Sequence, residues 1–221
     1  MKISLITLIC FFVVTVANVN AQVSYTVCTP NHNAPPASPY VWPPNSTVKV
    51  YFARKMFTAE ERQTLSAAMA DWTQGAKSVG VHVSFVDAGV LDDVADCRGC
   101  LTVMRREVYK PTRKHYAVSY SLGRERNDLL FSAMIHLDVA TTNATALRGF
   151  MSHELGHGMG LDDCKTCRKK QTIMAGFPGI NRDNGLTSPS RCDLEVVRQV
   201  YERHNRTATA ADVSMIPVSQ P

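Results

Sequence analysis

The sequence predicts an α/β chain, a sheet layer with helices packed on it, followed by a smaller C-terminal part. Three observations carry this. β-Branched runs with a two-residue period are interleaved with amphipathic runs of helical period, in the order strand, helix, several strands, helix, irregular stretch, helix. The chain is 221 residues long, enough for one domain with a sizeable core. No internal repeat breaks it up.

The first residues read as an export signal. Lys2 gives the positive start, "ISLITLICFFVVTVA" the apolar stretch, and "VNA" at 19–21 the small residues of a cleavage site after Ala21. The apolar stretch is short for a membrane anchor. Residues 22–46, "CTPNHNAPPASPYVWPPNS" among them, are rich in Pro, Asn and Ser and read as an extended leader without helical or strand period. "TVKVYFA" (47–53) alternates and reads as a strand. "TAEERQTLSAAMADWTQGAKSVG" reads as a helix, with Thr58 and Glu61 as a capping box and Leu65, Ala68, Met69, Trp72 and Ala76 as one apolar stripe. Strands are expected at "VHVSFVDA", "CLTVMRREV", "HYAVSYSLG" and "LLFSAMIHLDV" (129–139). "NATALRGFMSHELGHGMG" reads as a second helix. An irregular stretch follows to about residue 187. "SPSRCDLEVVRQVYERH" reads as a third helix, capped by Ser190, with Leu194, Val197 and Tyr201 on one face. The main domain is thus expected over 47–205 and a loose tail over 206–221.

Charge and cysteine usage narrow the class. The net charge of +5 is scattered, with no longer basic run than "RKK" at 168–170, which gives no case for nucleic acid. Signal removal takes Cys10 and leaves Cys28, Cys97, Cys100, Cys164, Cys167 and Cys192. An even count in an exported chain reads as disulfides. The two CxxC pairs could instead share a zinc ion, but the gap between them is far longer than in a zinc ribbon, and export oxidises thiols. The expected product is a secreted monomer with no membrane attachment. Asn45, Asn143 and Asn205 stand in N-x-[ST] sequons.

The chemistry concentrates in "HELGHGMGLDDC", residues 153–164. On a helix His153 and His157 point only about 40° apart, so both imidazoles reach one ion. Glu154 is rotated by about 100° from His153, beside that ion, where it can hold a water. Leu147, Met151 and Leu155 fall on the opposite, buried face. A catalytic zinc takes three protein ligands. Gly160 tolerates the left-handed backbone that ends a helix, and the returning chain then offers Asp163. Asp162 is the less favoured neighbour on spacing.

"HELGHGMGLDD" resembles the extended zinc motif of the metzincin metallopeptidases. "TIMAG" at 172–176 resembles their Met-turn, with Met174 as the methionine, and "LTSPSRCDLEVVRQVY" resembles the last helix of matrixin catalytic domains. Most metzincins have histidine as the third ligand; snapalysin-type enzymes have aspartate. The resemblance implies a twisted, mostly parallel sheet, an active-site helix, a Met-turn and a small C-terminal subdomain. It implies a zinc endopeptidase acting on proteins or peptides, with His153, His157 and Asp163 as ligands and Glu154 as general base. On this reading "AGFPGINR", just after Met174, walls a substrate pocket, and the strand at 129–139 runs along the cleft and pairs with an extended substrate.

Other candidates are weaker. The acids of "LDDVADCRGC" could serve calcium, but loops are commonly acidic without an ion, and calcium stays unsupported. His136 on its strand reads as structural. Cys28 lies in a leader, as a latency cysteine would, but "YTVCTPN" does not match that motif, and a structural disulfide fits better. The alternative functions are a non-catalytic, metal-bearing peptide-binding protein and a disulfide-rich module without metal. Glu154 speaks against the first, because binding zinc does not require it; a metal assay on the purified protein separates the second.

Overall fold

The computed structural model describes residues 27–92, 99–107, 117–124, 128–175 and 185–213. The signal and the calcium-candidate acids at 93–96 lie outside them, as does the wall segment after Ala175. The elements are β1 (Ala37–Val41), β2 (Thr47–Ala53), α1 (Ala59–Ser78), β3 (Ser84–Leu91), β4 (Cys100–Arg106), β5 (Ala117–Arg124), β6 (Leu130–Asp138), α2 (Ala144–Gly158), β7 (Met159–Leu161) and α3 (Arg191–Val213).

Among the described residues, five strands form one sheet in the order β3-β2-β4-β6-β5. β3, β2, β4 and β6 are mutually parallel, and β5 joins the edge antiparallel to β6. The α/β, mostly parallel architecture is therefore present. One expectation needs correcting. β6 is hydrogen-bonded on both sides, by β4 and β5, so it has no free edge for a substrate. A strand buried in mid-sheet and an edge strand look alike in sequence when both are apolar.

α1 forms where the sequence places it. The Thr58 side chain accepts from Glu61 N, and Glu61 reaches back to Thr58 N, so two orphan amides at the helix start are satisfied. Leu65, Ala68, Met69, Trp72 and Ala76 are its buried residues. Trp72 lies fully buried and donates its indole N–H to Ser152 O at 2.7 Å, which locks α1 against α2. Arg105 of β4 ties three elements together. It pairs with Glu61 and donates to the carbonyls of Asp138 and Thr141, at the turn that feeds α2.

Two boundaries differ from the sequence reading. Residues 22–46 are not all irregular, because β1 pairs antiparallel with β7, Ala37 opposite Leu161 and Val41 opposite Met159. Pro39 within it and Pro35, Pro36, Pro43 and Pro44 beside it hid it: a two-stranded pair tolerates Pro39, since a strand with one free side has no second ladder to serve. Val41 and Trp42 belong to the same core as α1, α2 and α3. At the other end α3 continues through Val213, past the tail boundary expected at 206, across alanine-rich sequence of high helix propensity. No helix among the described residues is long and apolar enough to cross a membrane.

Disulfides occur where the even count suggested. Cys28 joins Cys192, tying the N-terminal segment to α3, so Cys28 is structural. Cys164 joins Cys167. Cys100 is also disulfide-bonded, and Cys97 lies outside the described residues.

Candidate metal centre

α2 starts at an Asn143 cap, whose side chain accepts from Ala146 N at 3.1 Å, and ends at Gly158. Leu147, Met151 and Leu155 bury one face, as the helical period requires. His153 and His157, one turn apart, are partly exposed on another, with ring centroids 5.0 Å apart and planes at 84°. The chain leaves α2 two residues before Gly160 and passes into β7. Gly160 has φ +87°, and a Cβ there would lie 2.8 Å from both Val41 and Val200, so only glycine serves. Beyond β7 the chain returns across the histidines.

That return brings Asp163 to the site. Its Oδ1 lies 3.1 Å from His153 Nε2 and 3.9 Å from His157 Nε2. Asp162 goes elsewhere: its amide donates to Pro36 O at 2.9 Å, and its side chain lines a pocket on the β1 side of α2. Each imidazole is held from behind. His153 Nδ1 sits 2.9 Å from Ile173 O and His157 Nδ1 2.9 Å from Leu161 O. A carbonyl only accepts, so both Nδ1 atoms carry the proton, and both Nε2 atoms turn toward Asp163. A metal-binding histidine needs that tautomer and that kind of orienting partner.

The donor set fits a zinc ion. Tetrahedral zinc bonds of about 2.0–2.2 Å to nitrogen and oxygen put neighbouring donor atoms about 3.4 Å apart. The two Asp163–histidine distances bracket that value. Donor atoms of His153, Glu154 and His157 also lie within 4.8 Å of one another, so the carboxylate of Glu154 stands beside the two imidazoles. Glu154 is buried. The electrostatics favour a cation. Burial is the largest single influence on His153 and disfavours its charged form. The hydrogen bond to Asp163 and the charges of Glu154 and Asp163 together outweigh it, raising His153 to about 9.

The floor below α2 is Met174, fully buried. A Cβ on Gly156 would fall 2.4 Å from its Sδ, so Gly156, between the two histidines, is the position against which the methionine packs. Met174 O accepts from Cys164 N at 2.8 Å, next to Asp163. The segment before the methionine is held by a residue that the sequence reading passed over. Asp193, fully buried in the first turn of α3, accepts from Ile173 N at 2.9 Å, from Ser190 N at 2.7 Å and from the Thr172 hydroxyl. Burial pushes its pKa up, against the pull of those hydrogen bonds. Ser190 Oγ in turn accepts from Asp193 N. "SRCD" at 190–193 is thus a capping box, and that spacing was the available signal. Asp193 therefore reaches the metal centre in two steps, through Ile173 to the ring of His153.

His136 stands away from the centre, on β6 with Nε2 2.9 Å from Met134 Sδ.

No family model matches the chain, and no curated protein matches it by sequence. Among solved structures, it is similar to the GM1-bound form of the ECX AB5 holotoxin, at TM-score 0.43 and 14% identity over 79% of this chain and 91% of that one. It is similar to metalloproteinase-II from Bacteroides fragilis, at TM-score 0.43 and 9% identity over 76% and 56%. It is also similar to high choriolytic enzyme 1, a hatching enzyme zinc-protease from the medaka fish Oryzias latipes, at TM-score 0.43 and 15% identity over 73% and 94%.

Proposed function

We propose that the chain is an exported zinc-dependent endopeptidase of metzincin type, with His153, His157 and Asp163 as the metal ligands and Glu154 as general base. One observation carries the reading: two histidines, each locked into the ligating tautomer by a backbone carbonyl, converge with one carboxylate, and a second, buried carboxylate stands beside them. A purely structural zinc site would close all four positions with ligands and would have no use for Glu154.

Zinc, when bound, supplies Lewis acidity toward a scissile carbonyl and lowers the pKa of water. The rest is done by this chain. Glu154 takes a proton from the attacking water and returns it to the leaving amine. Its burial keeps that carboxylate out of bulk solvent and strengthens its interactions. Asp163 adds a negative charge where the commoner ligand set has a neutral imidazole, which makes the bound metal a weaker acid. β5, at the edge of the sheet, offers its outer side to an extended peptide, which fixes the substrate by backbone hydrogen bonds. The disulfides suit an oxidising, extracellular setting.

The test is Glu154→Gln. It should keep stoichiometric zinc while cleavage of an unfolded protein substrate falls by about 10²- to 10⁴-fold. Cleavage at the wild-type rate would remove Glu154 from the mechanism. Zinc-loaded wild type that cleaves nothing would turn the reading toward a non-catalytic, metal-bearing peptide-binding protein.

A further inference from the structure

A pocket of about 210 Å³ opens beside Glu154 and His157. Pockets that enclose a whole small ligand run to about 300–1,000 Å³, so this one suits a single side chain. Its lining passes from exposed Asp162 and part-exposed His157 to buried Leu101 and Leu155. Tyr40, Trp42, Leu101, Leu130, Ala133 and Leu155 give it apolar walls. An acidic side chain entering there would lose its water and meet the carboxylates of Glu154 and Asp162.

The walls have different origins. The sheet supplies Leu101, Leu130 and Ala133, and α2 supplies Leu155. The third wall is the N-terminal segment, through Ser38, Tyr40 and Trp42. Several bonds fix that wall. Cys28–Cys192 anchors its start, and the β1–β7 pairing holds its middle. Trp42 N donates to Gly158 O at 3.1 Å, and Tyr201 donates its hydroxyl to Trp42 O at 3.0 Å. A Cβ on Gly158 would fall 2.6 Å from the Trp42 indole nitrogen, so the indole rests on that glycine.

We infer that this pocket takes one bulky apolar side chain of a peptide substrate, aromatic or long aliphatic, and that the Tyr40–Trp42 wall sets its size. The inference rests on the peptidase reading above, since Glu154 and His157 in its lining place the filled pocket next to the bond to be cut. The segment from Cys28 onward is then part of the working enzyme.

The experiment incubates the zinc-loaded full chain with a peptide mixture from digested, unfolded proteins and reads every cleavage site by mass spectrometry. One position near the cut bond should be enriched in Phe, Tyr, Leu and Met and depleted in Asp and Glu. Ala133→Leu, which fills the pocket from the sheet, should move that preference to Ala and Val. Tyr40→Ala, at a half-buried position, should open it to Trp. A binding measurement runs without turnover. The zinc-loaded chain should hold a phenylalkyl hydroxamate about 10- to 100-fold more tightly than acetohydroxamate. Ala133→Leu should remove that ratio. Cleavage with no apolar preference, or a preference that neither variant moves, overturns the pocket and leaves the peptidase reading standing. Zinc-loaded wild type that cleaves no peptide overturns both.

Discussion

The two halves of the proposed metal centre are built in opposite ways. His153, Glu154 and His157 ride on one helix, and their mutual placement follows from a 3.6-residue turn. Asp163 rides on an irregular stretch, and its placement follows from four contacts with three other segments. β1 pairs with β7 ahead of it, Pro36 holds Asp162, Met174 holds Cys164, and Asp193 holds the strip that Cys164 leans on. The helical half carries its geometry locally. The loop half borrows its geometry from the rest of the fold, and every lender is a place where the site can be weakened without touching a ligand.

The largest effect belongs to the loop half's own proposed ligand. Asp163→Ala leaves two protein donors and removes a charge, so zinc affinity should fall on the order of 10³-fold. Asp162→Ala should leave it nearly unchanged, because that side chain does not approach either Nε2. Zinc stoichiometry after dialysis, run on both variants side by side, checks the contrast. The opposite outcome would mean that the chain turns after β7 differently from the way described. The same variant has a readout without metal. In chelator-treated wild type His153 should titrate near 9. Its raised folded pKa means that the His153–Asp163 pair stabilises the fold below about pH 6.5 and loses that contribution as pH rises through about 9. In Asp163→Ala the imidazole titration, followed by NMR, should move down.

The next effect separates a borrowed contact from a ligand. Asp193→Ala removes the acceptor for Ile173 N, Ser190 N and the Thr172 hydroxyl, and Ile173 and Thr172 are buried away from solvent that could replace it. The Ile173 carbonyl should then hold His153 less firmly. Zinc affinity should fall about 10- to 100-fold, the usual cost of losing an outer partner of a metal ligand. Thermal stability should fall with it. Unchanged zinc affinity alongside a lowered Tm would make Asp193 a core residue with no bearing on the metal.

How much was legible in the sequence follows the same division. The α1 capping box, its five-residue apolar stripe and the His153–His157 face are all local patterns, and the structure contains each of them. The parallel sheet was legible as a class, but strand order was not: nothing in "LLFSAMIHLDV" says that β5, earlier in the chain, lies outside it. β1 was missed because its prolines break the alternation that signals a strand, while its partner β7 has only three residues. Asp193 was missed although "SRCD" has capping-box spacing, because attention to a cap says nothing of what else the carboxylate touches. Gly160 was read as the helix stop. It is instead a point where β7 passes close to Val41 and Val200, a long-range contact that no local pattern contains.

A smaller effect probes the helical half from below. Gly156→Ala puts a methyl group 2.4 Å from Met174 Sδ and 3.3 Å from the Trp72 ring, in a site already full. Overpacking of this kind costs about 1–3 kcal/mol. If the helix carries its own geometry, the strain should pass into Met174 and lower stability, with zinc affinity reduced by less than about tenfold. A loss of zinc as large as that of Asp163→Ala would show that the helical half, too, depends on what lies beneath it.

The smallest effect concerns the disulfide that follows Asp163. Cys164 and Cys167 are only three positions apart, so closing their loop removes little freedom from the unfolded chain, about 2 kcal/mol by the chain-entropy relation. Cys28–Cys192 spans 164 positions and is worth about 5 kcal/mol by the same relation. Within the folded protein the short bridge shares its task. Cys164 is also held by its amide bond to Met174 O and by the bridge pairing with Ala175, and Thr166 donates its hydroxyl to Asn31 O. Replacing Cys164 and Cys167 together by Ser should therefore lower thermal stability modestly and zinc affinity only severalfold, less than Asp193→Ala does. The two variants should be compared by zinc titration against a competing chelator at one pH. If the cysteine pair proves the more damaging, the bridge and not the buried carboxylate holds Asp163 over the histidines, and reduction of that bridge becomes a route to metal loss.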